Sequence, residues 1–279
     1  MPLHDSRRAA TIARMTVDSG SLARAADLLA TCSYAIALTG AGVSHESGVP
    51  TFRGKSGLWT KIGEPRADGF ERFLSDPEGW WKERLFGERD PDIQNLMDKL
   101  HAAKPNAGHY AMAELEAMGV LRHVITQNGD DLHRQAGTTS LTEVHGNIYW
   151  LRCPACGGRW HEDSLVVDPE ALPPWCPEPG CGSPVKTDSV GFGEPVPGAH
   201  LQRCELETAR ADVFMLAGTS AVVYPVAHYP QLAAQRGVPL IEIDPEPTAL
   251  SDWATVILRG PSGEVLPQLV EAVRERRAA

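Results

Sequence analysis

Short apolar runs alternate along this chain with stretches in which apolar residues recur every third or fourth position. The runs are Tyr34–Thr39, Arg122–Thr126, Val213–Ala217, Leu240–Ile243 and Thr255–Leu258. Short runs of Ala, Val, Ile and Leu without polar alternation are the mark of strands buried on both faces of a parallel sheet. Helical spacing occupies the intervals. It is found over Ser21–Ala30, with Leu22, Ala25, Ala26 and Leu29 on one face, and over Ala107–Met118, Leu201–Ala211, Val226–Arg236 and Gly263–Arg277. This alternation predicts an α/β fold built on a doubly wound parallel sheet with right-handed crossovers. The Ala- and Arg-rich tail after Val273 reads as a fraying helix end.

Two stretches break the rhythm. Residues from about Pro50 to Lys104 hold glycine, proline, aromatics and short helical pieces but no convincing strand, and residues 151–186 are rich in proline and cysteine. Both are expected to be insertions forming a smaller domain (51–104 and 151–186) beside the sheet domain (1–50, 105–150 and 187–279). No apolar run approaches the ~18 residues of a membrane span. The segment Met1–Ser19 is mixed and charged, without the apolar centre of a secretory signal, which points to the cytoplasm.

Composition narrows the partners. The 279 residues are 42% hydrophobic and 22% charged, ordinary for a chain that buries a real core. Lys and Arg number 26 against 36 Asp and Glu, a net charge of −10, which argues against binding nucleic acid through its phosphates. A basic protein substrate or a small molecule fits this balance.

Four of the six cysteines fall in one window: Cys153-Pro-Ala-Cys156, nineteen residues, then Cys176-Pro-Glu-Pro-Gly-Cys181. Paired thiols a few residues apart, repeated after ~15–20 residues, suit tetrahedral zinc, each turn offering two thiolates to one metal. Pro154, Gly157, Gly158, Pro177, Pro179 and Gly180 supply the turns. A disulfide pair or a set of free core thiols is the alternative, and disulfides are disfavoured in a reducing compartment. Four sulfur ligands leave no position for water, so Cys153, Cys156, Cys176 and Cys181 are expected to hold a structural ion. Cys32 and Cys204 read as packed side chains.

The run Tyr34–Thr39 enters Gly40-Ala41-Gly42-Val43-Ser44, a turn whose backbone can approach a phosphate closely. Alone the motif is weak: the third glycine of the dinucleotide fingerprint is missing, and a tight strand-to-helix turn without ligand reads equally well. Its continuation, His45-Glu-Ser-Gly-Val-Pro-Thr51-Phe52-Arg53-Gly54, resembles the sirtuin family of NAD-dependent protein deacylases. So do Pro105-Asn106-Ala-Gly-His109, Gln127-Asn128-Gly129-Asp130-Asp131-Leu132-His133 and Glu143-Val144-His145-Gly146-Asn147. The cysteines, Phe192-Gly193-Glu194, Gly218-Thr219-Ser220, Pro225 and Ile241–Thr248 complete the order over about residues 33–270.

The resemblance implies a Rossmann-like domain with a small zinc and helical domain. It implies a reaction in which NAD is consumed: the bond from nicotinamide to ribose breaks, the acyl oxygen of a modified lysine captures the ribose carbon, and nicotinamide, free lysine and O-acyl-ADP-ribose result. His145 would be the base and Asn128 would orient ribose and water. Asp130 would accept from the nicotinamide amide, with Gln127 beside it. Gly40, Ala41, Gly42 and Ser44 would meet the cofactor at the first turn, and Thr51, Phe52, Arg53 and Trp59 in the mobile cofactor loop. There Arg53 offsets phosphate charge and Phe52 shields the ribose from water. Gly218, Thr219 and Ser220 would meet the adenosine half. Asp244, Pro245 and Glu246 follow the next strand, where a carboxylate accepts from ribose hydroxyls and favours NAD over NADP. Val190 and Phe192 would line the acyl-lysine tunnel, while Gly193 and Glu194 start the loop that pairs with substrate backbone.

The chain also departs from the family pattern. Thr51 stands where many members have Asp, as in the branch containing desuccinylases. The Tyr and Arg of that branch fall, counting from Asp76-Pro77, at Arg84 and Gly87, so specialised succinyl removal is not expected. Gly129, Ser189 and Gly191 replace bulkier residues and predict looser nicotinamide and acyl pockets. Asp244 stands for the usual Asn. Trp80 and Trp81 fit the acyl end of the tunnel or the small-domain core equally. Beside protein-lysine deacylation, the same pocket admits ADP-ribosyl transfer or NAD hydrolysis. A weakly catalytic NAD-sensing, zinc-bearing interaction module is the third reading.

Overall fold

The computed structural model describes residues 17–53 and 57–279. Most of the segment read for a secretory signal, and Gly54 of the cofactor loop, lie outside the described residues. The chain opens with α1 (Ser19–Thr31), capped by Asp18, whose carboxylate accepts from the Ser21 N–H at 2.7 Å. Strand β1 (Ala35–Thr39) follows, then the short helix α2 (Ala41–Ser44). Four helices come next: α3 (Leu58–Ile62), α4 (Gly69–Ser75), α5 (Pro77–Phe86) and α6 (Pro91–Ala102). Helix α7 (Ala107–Ala117) leads into β2 (Leu121–Thr126), α8 (Leu132–Gln135) and β3 (Leu141–Glu143). Three short strands surround the cysteines: β4 (Trp150–Arg152), β5 (Arg159–His161) and β6 (Lys186–Thr187). The chain closes with α9 (Gly198–Arg210), β7 (Val213–Ala217), α10 (His228–Gln235), β8 (Leu240–Ile243), β9 (Val256–Leu258) and α11 (Ser262–Ala278).

The main sheet is six-stranded and parallel, in the order β3-β2-β1-β7-β8-β9. Alternate residues of each strand serve opposite faces. Ala35, Ala37, Val124, Met215 and Ile241 face the side packed by Leu29 of α1, Met112 and Leu115 of α7, and Leu266 and Leu269 of α11. Ile36, Leu38, Ile125, Phe214 and Leu216 face the other, where Cys204 of α9 and Tyr229 of α10 pack. With both faces covered, each strand reads as an unbroken apolar run, and this is why the pattern located them. β3 carries the polar Thr142 and Glu143, both buried, and gave no such signal.

Strand order reverses beside β1, where successive crossovers leave in opposite directions. That opens a crevice at the carboxyl ends of β1 and β7, the usual ligand position in such sheets. A second, three-stranded antiparallel sheet, β5-β4-β6, carries the cysteine turns. α4 and α5 pack on it through Phe73 and Trp81, against Leu151, Cys153 and Val185. Trp81 is buried and donates its indole N–H to the Val185 carbonyl at 2.8 Å, so it is core; Trp80, partly buried, packs edge-on to Phe73 against that core.

The tail after Val273 is helical to Ala278. Its arginines are bonded along the way: Arg274 pairs with Glu114 and Glu271, Arg276 with Asp27, and Arg277 donates to the Met118 carbonyl at 2.7 Å. Among the described residues no helix is long and apolar enough to cross a membrane.

Candidate active site

The floor of the crevice is two glycine backbones in contact. The Gly42 N–H donates to the Gly218 carbonyl at 2.8 Å, and a Cβ on Gly42 would stand 2.6 Å from the Gly218 Cα. Gly218 has φ +58°, and a Cβ there would meet the Val43 nitrogen at 2.2 Å. Side chains at either position would separate the first turn, Gly40-Ala41-Gly42, from the end of β7. Gln127, at the end of β2, joins the same edge by donating to the Thr219 hydroxyl at 2.7 Å; Thr219 is buried and Ser220 exposed.

Beyond β8, the Asp244 carboxylate accepts from the Glu246 N–H at 3.0 Å, and burial raises its pKa to about 6. Pro245 and Glu246 are exposed. The loop is held from below by Glu242, an acid inside an apolar strand and fully buried. Its carboxylate takes hydrogen bonds from Thr248, Ser251 and Arg259, while Arg259 also donates to the Asp244 and Glu246 carbonyls.

Deeper in, Asn128, Ser44 and Asp130 form a buried polar group. The Asn128 amide donates to the Gly40 carbonyl at 3.0 Å and to the Ser44 hydroxyl at 3.1 Å. Both amide hydrogens are thereby committed, and the amide oxygen is left for a ligand. The Ser44 hydroxyl donates to Asp130 at 2.6 Å, and the other Asp130 oxygen takes the Leu132 N–H. Burial raises the Asp130 pKa. His109 closes this group from behind. Its Nδ1 accepts from the Asn106 N–H, so Nε2 carries the hydrogen and faces the Ser44 oxygen at 3.4 Å. Burial lowers the His109 pKa to about 4, keeping it neutral.

His145 follows the last residue of β3 by two positions. Its Nδ1 lies 3.0 Å from the Gln127 carbonyl, an acceptor only, so Nδ1 bears the hydrogen and the Nε2 lone pair is free. Burial lowers the His145 pKa; the Gln127 bond opposes this in part, and the Arg53 charge adds to it. The Val190 N–H donates to the His145 carbonyl at 2.9 Å, which brings the 188–194 segment alongside. Phe192 packs edge-on to Trp59, which stacks on Phe52 at 5.3 Å, so the Phe52–Trp59 and Phe192 segments share one aromatic row. Thr51 accepts the Leu58 N–H through its carbonyl, and Arg53 pairs with Glu64 at 2.6 Å. Gly193 has φ +76° and packs on the Ala67 carbonyl, with no room for a Cβ. The Glu194 side chain turns inward, to Arg152 at 2.6 Å and Lys186 at 3.2 Å.

Those last partners belong to a buried ion cluster that the sequence reading missed. Glu143 and Asp188, with Arg134, Arg152, Arg159 and Lys186, lie around the His145 segment. Single charges spread over some sixty positions make no sequence motif. Arg84 stands apart, over the Trp80 ring.

The four cysteine sulfurs all lie within 4.8 Å of one another, with Cys153–Cys181 and Cys156–Cys176 each 3.6 Å apart. A tetrahedron with metal–sulfur bonds of about 2.3 Å has edges of about 3.8 Å, which the two 3.6 Å separations approach. Disulfide sulfurs lie about 2.05 Å apart, and these cysteines are free thiols. The donor set therefore fits zinc. Gly157 and Gly180, at φ +75° and +78°, make the two turns.

Comparison with known proteins agrees with this geometry. Residues 40–225 match the Sir2 family. The chain is 45% identical over 252 residues to NAD-dependent protein deacylase 2 of Pyrobaculum aerophilum, covering 90% of this chain and 95% of that protein. Among solved structures it resembles a Sir2 homologue in complex with NAD, at 41% identity and a TM-score of 0.70 over 90% of this chain and 93% of the other. It also resembles a Sir2 protein bound to a myristoylated histone peptide, at 33% identity and a TM-score of 0.64 over 93% and 98%.

Proposed function

The chain belongs to the Sir2 family, and from that premise we infer that it is an NAD-dependent protein-lysine deacylase. It consumes NAD, releases nicotinamide, and yields deacylated lysine and O-acyl-ADP-ribose. The observation that carries the reading is the imidazole of His145, locked by the Gln127 carbonyl with Nε2 unprotonated at the crevice. A base of this kind takes a proton from a ribose hydroxyl, and that oxygen then attacks the captured acyl carbon.

The other residues take roles consistent with their places. Asn128 orients ribose or water with its free amide oxygen, and Asp130 receives the nicotinamide amide. Gly40, Ala41, Gly42 and Ser44 receive the cofactor at the first turn, with Gln127, Gly218, Thr219, Ser220, Asp244, Pro245 and Glu246 along the strand ends. Thr51, Phe52, Arg53 and Trp59 close over it. Val190 and Phe192 flank the acyl-lysine, with the backbone at Gly193 and Glu194 beside the peptide. Zinc bound by Cys153, Cys156, Cys176 and Cys181 supplies structural cross-linking and no reactive position. Residues 51–104 and 151–186 act as the substrate-facing unit.

The substrate is an acyl-lysine in a protein, reached in the cytoplasm, where four free thiols stay reduced. Gly191 is exposed, and a Cβ there would meet only the Glu194 carboxylate at 3.8 Å, so no side chain at this position narrows the approach to Phe192, which supports a range of acyl groups beyond acetyl. The test is incubation with NAD, with and without acetyl-, butyryl-, succinyl- and long-chain acyl-lysine peptides, following nicotinamide and peptide mass. Peptide-dependent nicotinamide release is expected. Peptide-independent release would establish NAD hydrolysis instead, and a strong acetyl preference would remove the broad acyl range.

A further inference from the structure

We propose that Arg159 is a positioning residue for this reaction, fixing the His145 segment against the 188–194 loop by bridging two buried carboxylates, Glu143 and Asp188. The inference rests on the reading of His145 as the base. Two stretches of chain meet at the site. One runs through Glu143, His145 and Asn147, the other through Asp188 and Val190. They are joined by Val190 N–H to the His145 carbonyl at 2.9 Å and Asn147 N–H to Asp188 at 2.9 Å. Gly146, at φ +74°, brings them so close that a Cβ would lie 2.1 Å from the Asp188 carbonyl oxygen.

Arg159 spans both. Its Nη2 is 2.8 Å from a Glu143 oxygen and 2.7 Å from an Asp188 oxygen, and its Nε donates to Asp188 at 2.8 Å. The two carboxylate side chains are only 2% and 0% exposed, so neither finds water as a substitute partner. No other arginine replaces it. Arg134 grips Glu143 from α8 and pairs with that carboxylate alone. Arg152 commits Nη2 to Glu194, and its Nε faces Asp188 at 3.2 Å without forming a hydrogen bond. Among the described residues, Arg159 is the one guanidinium bonded to both carboxylates.

Arg159 opens β5, immediately after the first cysteine turn. Gly158 donates its N–H to the Cys156 sulfur at 3.4 Å and accepts the Cys153 N–H at 2.8 Å. Its guanidinium also lies 4.6 Å from the Trp150 ring centroid. The cysteine turn thus sets where Arg159 stands, and Arg159 conveys that placement to His145.

Arg159→Gln and Arg159→Lys separate this role from a merely structural one. Zinc content, kcat, KM for NAD, and the amide NMR signals of Gly146 and Val190 are measured on the full-length zinc-loaded protein. For Arg159→Gln, zinc content is unchanged, KM for NAD stays within roughly twofold, kcat falls about 10- to 100-fold, and both amide signals shift. Arg159→Lys, able to reach one carboxylate at a time, falls between. Wild-type kcat with unmoved Gly146 and Val190 signals in Arg159→Gln would overturn the proposal. If that variant does not fold, Arg159→Lys decides by the same readings. Full activity in His145→Ala would remove the base assignment alone, because the amide signals still report whether Arg159 holds the two stretches together.

Discussion

The Nδ1 of His145 is bound to the Gln127 carbonyl at 3.0 Å, so a backbone atom at the end of β2 decides which imidazole nitrogen faces the crevice. That carbonyl cannot donate, and the neutral tautomer with a free Nε2 is the one it selects. Burial moves the His145 pKa below 6.5. A base works unprotonated, so kcat/KM for acyl peptide should hold between pH 8 and 7 and fall only as pH drops through that lowered value. His145→Ala should cost about 10²–10⁴-fold in kcat. An acid limb above pH 6.5 would contradict the burial argument.

The contact of Gly42 with Gly218 makes a second prediction. Gly218→Ala places a methyl 2.2 Å from the Val43 nitrogen on a residue already at φ +58°. The turn must shift, at a strain of order 1–3 kcal/mol. NAD binding, measured by calorimetry, should weaken at least about tenfold for Gly42→Ala and Gly218→Ala. Gly137→Ala is the control for a positive-φ glycine away from the crevice, with nothing within 4 Å of its Cβ. It should lose some stability and keep its affinity for NAD.

These two sites also show what was legible in sequence. Strands covered on both faces wrote themselves as apolar runs, and glycines at a backbone crossing stood out as Gly40-Ala41-Gly42 and Gly218. The cysteine window gave its thiol cluster by spacing alone. What stayed hidden was of another kind. β3 is three residues with a polar interior, and Glu143, Asp188 and Arg159 meet only because two sheets abut. Glu194 was legible as part of a motif, yet its inward turn toward Arg152 depends on partners dozens of residues away. Pairing between distant single charges has no periodicity to read.

The thiol cluster should be required for the fold around it. Cys176→Ser leaves three sulfurs, and a structural zinc site lacking one ligand loses much of its affinity. Zinc content should fall well below one ion per chain. Melting should shift downward, with the Trp81 environment, packed on Cys176 and Val185, changing first in fluorescence. Unaltered zinc content would mean that the sulfurs are not the ligands.

Acid stability follows from the buried histidines. His123 sits between the Ser140 and Thr142 hydroxyls, 2.9 and 2.8 Å away, and burial lowers its pKa to about 4; for His133 the value is about 3. Each is neutral in the folded chain and protonates near 6.5 when unfolded. Below 6.5 the unfolded state therefore binds more protons, and stability falls as pH falls, by about 1.4 kcal/mol per pH unit per histidine until the folded value is reached. Urea unfolding at pH 7.5, 6.5 and 5.5 measures this. His123→Gln should lower stability at pH 7.5 and flatten the slope below 6.5; an unchanged slope would show that His123 does not titrate between the two states.

Asp244 should make NAD binding itself pH-dependent. Its carboxylate follows β8 directly, and burial raises its pKa to about 6; in the role proposed for it, accepting from ribose hydroxyls, that titration falls on binding. Above that pH it is ionised and accepts fully; below it, a proton occupies one acceptor site. If the ionised form alone binds well, Kd for NAD rises about tenfold for each pH unit below 6. Calorimetry reads this directly. Asp244→Asn keeps an acceptor oxygen and removes this titration, so its Kd should rise less steeply than the wild type's from pH 7 to 5. Arg259 bonds Glu242 and the Asp244 backbone carbonyl, contacts that do not use the Asp244 side chain. A variant whose Kd climbs as steeply as the wild type's would assign the titration elsewhere.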